Sequence, residues 1–111
     1  MTIDEIQQII DDAYPKIQSH YGKGELPIPP IELHVDIYAR LSGDPEARGE
    51  ASKSTKAQYD EETNVIYIYY PNVKDEEDLL RSLVHEYTHY KQDHSLFQKY
   101  RDMYDYDDPK K

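Results

Sequence analysis

The chain has no cysteine and no tryptophan, a single phenylalanine, four glycines and a shortage of positive charge. Without cysteine, neither a disulfide framework nor a thiolate metal site can form. Thirteen Lys and Arg stand against 23 Asp and Glu, for a formal net charge of -10. That balance repels phosphate backbones and anionic lipid surfaces, so neither a nucleic acid nor a membrane is expected as a partner. No stretch approaches the roughly eighteen consecutive apolar residues of a membrane span. The opening Met1-Thr2-Ile3-Asp4-Glu5 lacks the basic and apolar regions of a secretory signal, so a cytoplasmic location is expected. Hydrophobic residues make up only 37% of the chain and mean hydropathy is -0.99, which limits the core to a modest one.

What is abundant is tyrosine, with twelve residues. Tyrosine hydroxyls require partners, so many of these rings are expected to sit half-buried with the oxygen in water. A length of 111 residues fits one domain, with a frayed tail from about residue 105.

Apolar residues Ile3, Ile6, Ile10, Ala13 or Tyr14, and Ile17 recur at helical spacing. They predict an amphipathic helix from Ile3 to about Tyr21, with Thr2 as N-cap and Pro15 as a point of kinking or division. Pro27, Pro29 and Pro30 then predict an extended linker. Ile31, Leu33, Val35 and Ile37 alternate with Glu32, His34, Asp36 and Tyr38, a period-two strand. Leu41 to Gly49 reads as a loop. Ala51 to Tyr59 predicts a thin polar strand, residues 60–64 a turn, and Val65 to Tyr70 a strong β-branched and aromatic strand, the last two forming a hairpin. Asp75 to Asp78 place negative charge where a helix N-terminus favours it, and that helix is expected to run to about His94.

At roughly 100° per residue along this helix, Leu79, Leu80, Leu83, Val84, Tyr87 and Tyr90 form a core stripe. His85 and His89 fall together on another side, one turn apart, with Glu86 between them and the core. Two imidazoles at this spacing can share one zinc ion, and the adjacent carboxylate can act as general base toward water that the metal acidifies. Thr88 leaves the metal side uncrowded. The competing explanation is a surface helix with two solvated histidines.

The stretch Leu83-Val84-His85-Glu86-Tyr87-Thr88-His89-Tyr90-Lys91-Gln92 resembles the motif of zincin metallopeptidases, and in particular the minimal gluzincins and small phage and bacterial HExxH proteins. The resemblance covers about residues 31 to 94. It implies an α+β, zincin-like domain with an N-terminal helix, a small sheet of about three strands and an active-site helix packed on it. It also implies a zinc-dependent endopeptidase with His85 and His89 as ligands and Glu86 as base. In that class an edge strand pairs with extended peptide or protein substrate; here it would lie near residues 51–59.

The third zinc ligand is open. Gluzincins take a glutamate from a later helix, and no glutamate follows Glu86. The metzincin pattern would need glycine and histidine where the chain has Gln92 and Ser95. Asp93, His94, Asp102, Asp105, Asp107 and Asp108 remain as candidates, with Asp93 also placed to support a ligand imidazole. Asp107-Asp108-Pro109-Lys110-Lys111 reads like the middle of a loop, so a ligand beyond the chain is a further alternative. Three smaller expectations complete the reading. His34 and Asp36 share the polar side of a strand, His20 complements a helix C-terminus, and Tyr100, Tyr104 or Tyr106 could supply a hydroxyl to an oxyanion. Beside the enzyme stands a second reading, a non-catalytic or incomplete zincin-like domain that binds metal and peptide without turnover.

Overall fold

A computed structural model describes residues 1–35, 37–42 and 55–92. The first helix, α1, spans Ile3–Tyr21. Thr2 and Glu5 close a reciprocal capping box, with the Glu5 amide donating to Thr2 Oγ1 at 3.1 Å and the Thr2 amide to Glu5 Oε1 at 3.0 Å. The helix carries Pro15 without dividing. It stops at Gly22, whose φ of 79° is open to glycine and strained for other residues.

Strand β1 (Ile31–His34) follows the linker, then a short helix α2 (Ile37–Ser42), strand β2 (Ala57–Asp60), strand β3 (Val65–Tyr69), a 3-10 turn at Tyr70–Asn72, and helix α3 (Glu76–Lys91). The sheet order is β1-β3-β2, with β1 parallel and β2 antiparallel to β3. The result is a small α+β fold in which the N-terminal helix and α3 pack on a three-stranded mixed sheet. Among the described residues no helix is long and apolar enough to cross a membrane.

Strand β3 is central and buried on both faces. Ile66 and Ile68 join Ile6, Ile10, Leu79, Leu83, Tyr87 and Tyr90 in the helix-side core. Val65, Tyr67 and Tyr69 point the other way and meet Ile37 of α2. Arg40 of α2 locks that face: its guanidinium lies 4.0 Å from the Tyr67 ring centroid and its Nε donates to the Tyr69 hydroxyl at 3.0 Å.

Three local expectations are corrected. The strand expected through Tyr38 ends at His34, because its partner ends at Tyr69, paired with His34, and Tyr70-Pro71 turns away. Ile37 therefore opens α2 instead of extending the sheet. The strand expected at residues 51–59 begins at Ala57, with residues 51–54 outside the described part. Helix α3 ends at Lys91, short of His94: the stripe of Leu79, Leu83, Tyr87 and Tyr90 has a histidine at its next position, and Gln92 is already extended (φ -63°, ψ 156°).

The tyrosines also depart from expectation. Tyr69, Tyr87 and Tyr90 are fully buried, and their hydroxyls bond to protein. The proline-rich linker explains why. Pro30 O joins the sheet, accepting from the Ile66 amide at 3.0 Å, and tyrosines supply donors to carbonyls before it: Tyr87 to Gly22 O (2.6 Å), Tyr90 to Leu26 O (2.5 Å) and Tyr14 to Pro29 O (2.7 Å). Asn64, held at φ 56°, donates through Nδ2 to Pro27 O at 2.8 Å. A polar-rimmed core of this kind lets a chain with few aliphatic residues satisfy an irregular segment inside the fold.

Candidate metal centre

Helix α3 is set by its first turn and its stripe. Asp75 caps it, accepting from the Asp78 amide at 2.8 Å, and Glu76, Glu77 and Asp78 complement the dipole. With Leu79, Leu83, Tyr87 and Tyr90 fixed in the core, helical geometry places His85 and His89 together on the solvent side. Their Nε2 atoms stand 3.1 Å apart, with ring centroids at 4.6 Å and planes at 85°. Two imidazoles around one tetrahedral zinc at ~2.1 Å would hold their nitrogens about 3.4 Å apart. The pair fits a shared ion after a small adjustment. In the absence of metal the same approach is a hydrogen bond in which one ring donates and the other accepts.

Glu86 takes the position expected between this pair and the core, and it is 8% exposed. Its Oε1 accepts from the backbone amide of Tyr59 at 2.9 Å. This bond ties α3 to β2, which is an edge strand of the sheet. Ladder parity makes the bond available. Tyr69 N–H donates inward to Lys56 O at 2.8 Å, so the backbone groups of Ala57 and Tyr59 alternate outward, away from β3. Thr88 leaves the histidines clear, its Oγ1 donating back to Val84 O at 2.8 Å.

A groove of about 450 Å³ runs beside the site. Residues 55–57, leading into β2, form one wall; Asp78, Arg81, Ser82, His85 and Glu86 of α3 form the other. Asp78 is buried. Hydrogen bonds from Lys56 Nζ (2.8 Å) and the Lys74 amide (3.0 Å), with the charge of Lys56, hold its carboxyl below the ordinary aspartate value.

The other candidates distribute as follows. Asp93, His94, Asp102, Asp105, Asp107, Asp108, Tyr100, Tyr104 and Tyr106 lie outside the described residues, as does Asp36. Among the described residues, no three His, Cys, Asp or Glu side chains gather to hold a metal. His34 pairs with Glu32 at 3.0 Å, and His20 occupies the last turn of α1 against the Tyr21 ring.

The HExxH spacing carries no sign of Lys56, Asp78, Arg81 and Ser82 in the groove or of the Tyr59 amide. The Tyr59 contact is made by backbone and has no side-chain signature. Asp78 carries a signal of its own, an acid at a helix start, but capping accounts for that signal. Its junction with Lys56 depends on tertiary packing. Compared with protein-family models, with curated proteins and with solved structures, the chain matches none.

Proposed function

We propose that the protein is a zinc-dependent peptidase in which His85 and His89 hold the metal and Glu86 is the general base. The observation that carries this reading is the convergence of the two Nε2 atoms at 3.1 Å beside a carboxylate anchored to an edge strand. Zinc bound there would supply a Lewis acid that polarises a peptide carbonyl and acidifies water. Everything else falls to the chain's own groups. The Tyr59 amide fixes one oxygen of Glu86, so the carboxylate presents its remaining lone pairs in one orientation. From there it can take a proton from the attacking water and return it to the leaving amine. The outward N–H and C=O of Ala57 offer a peptide strand its hydrogen bonds.

The Glu86–Tyr59 bond also favours the second reading. A carboxylate that clasps α3 to β2 has an architectural task that needs no turnover, and the domain would then bind metal and extended peptide only. Cleavage of casein or an unstructured peptide by the zinc-loaded chain, compared with Glu86→Gln, separates the two. The peptidase reading expects cleavage that falls at least about a hundredfold in the variant. Equal cleavage by both removes Glu86 from the chemistry, and zinc uptake without cleavage by either leaves the binding domain.

A further inference from the structure

The groove beside His85 and Glu86 is lined by two cations, Lys56 and Arg81, whose engagement differs. Asp78 forms part of its α3 wall, but that carboxylate is already engaged. Lys56 Nζ donates to Oδ1, the Lys74 amide donates to Oδ2, and only 9% of the side chain is exposed. Arg81 is in the opposite condition. Its side chain is 67% exposed, with Nη1 3.9 Å from Asp78 and Nη2 paired at 2.8 Å with Glu77, itself 82% exposed. An ion pair between two solvated side chains one helical turn apart is weak and screened, so an incoming carboxylate can compete for the guanidinium fork. Ser82 already donates to Asp78 O at 2.9 Å, which leaves its oxygen as an acceptor. The groove's lining therefore sets two cations, Lys56 and Arg81, against two carboxylates, Asp78, which Lys56 already pairs, and Glu86, whose Oε1 is held by the Tyr59 amide; Arg81 is the cation with the weaker, more solvated pairing. The outward backbone groups of Ala57 run along the same groove.

We propose that this groove is a side-chain subsite for an acidic residue, Asp or Glu, of an extended peptide laid against Ala57. Arg81 is its counter-charge. The proposal rests on the peptidase reading insofar as it sets the acidic residue beside the bond to be cut. The charge preference itself belongs to the groove and appears in binding whether or not that bond is cut. A lysine or arginine side chain there would meet the exposed Arg81 guanidinium, which repels it.

The test uses the full chain, isotopically labelled, with and without zinc. It is titrated with short blocked peptides identical except for one central Glu, Gln or Lys, while the amide resonances of Ala57, Arg81 and Ser82 are followed. The Glu peptide should bind about tenfold more tightly than the Gln peptide and move those resonances, with the Lys peptide weakest and the preference shrinking at high salt. Arg81→Gln should bring the Glu peptide to the level of the Gln peptide, and Arg81→Glu should favour the Lys peptide. Neither variant should alter zinc uptake, and Arg81 is exposed enough that both should fold. Equal affinities, a preference that survives Arg81→Gln, shifts confined to other surfaces, or no binding of any peptide would overturn the proposal. A preserved charge preference without cleavage leaves the subsite standing and removes the peptidase; Glu86-dependent cleavage without charge preference does the reverse.

Discussion

Replacing Glu86 by alanine tests the clasp between the motif helix and the sheet separately from any chemistry. The substitution leaves the Tyr59 amide, at 2.9 Å from Oε1 in the native fold, without its acceptor. A hydrogen bond to a charged acceptor contributes about 1.5–3 kcal/mol. Two effects reduce the net loss. Alanine gains a few tenths of a kcal/mol in helix propensity, and Glu86 lines the open groove, so water can reach the orphaned amide. A net destabilisation of about 1–2 kcal/mol follows, or roughly 4–8 °C in Tm for a chain of this size. Glu86→Gln keeps a carbonyl oxygen for the same amide and should lose less than about 1 kcal/mol. Urea unfolding of the zinc-free protein, read by circular dichroism, excludes stabilisation by bound metal. If Glu86→Ala were as stable as the parent, or more so, the Tyr59 contact would not hold the helix to the edge strand, and the positioning argued for Glu86 would fall with it.

Other consequences follow from the tyrosine-stitched linker. Tyr90→Phe removes a hydroxyl that donates to Leu26 O and accepts from the Gly24 amide at 3.0 Å, so two backbone groups lose a partner; urea unfolding should show a loss of about 2–3 kcal/mol. Tyr87→Phe, which breaks the single bond to Gly22 O, should cost about 1–2 kcal/mol in the same assay. Burial raises the Tyr59 hydroxyl to about 12 and also raises Tyr14, Tyr69 and Tyr87. The native state thus keeps protons that the unfolded chain releases near pH 10, and stability present below that pH is lost as pH rises toward 12. Tyrosinate absorbance and circular dichroism should change together there; titration of all tyrosines near pH 10 with the fold intact would refute it.

Much of this fold could be read from one-dimensional periodicity. Ile3 to Tyr21 and Val65 to Tyr69 were legible because each has one dominant pattern and clear ends. The motif helix was legible for the same reason, and with it the placing of His85 and His89 on one side and Glu86 toward the core. The rest depended on neighbours. Alternation beyond His34 suggested more strand, but a strand lasts only as long as its partner, and β3 ends at Tyr69. Solvated hydroxyls were the natural expectation for so many tyrosines; what reversed it was a proline-rich linker whose carbonyls needed donors from residues far along the chain. The groove joins Lys56 to Asp78 and Arg81, and the clasp on Glu86 is a backbone amide, so neither leaves a pattern at fixed spacing.

We propose that His85 and His89 share one zinc ion. X-ray absorption at the zinc edge, on the chain loaded with one equivalent, addresses it most directly, because an acidic protein could also gather zinc on carboxylates alone. At least two imidazole nitrogens are expected at ~2.0–2.1 Å, with imidazole scattering diminished in His89→Ala. A shell of oxygen atoms only, or a spectrum unchanged by His89→Ala, would contradict it.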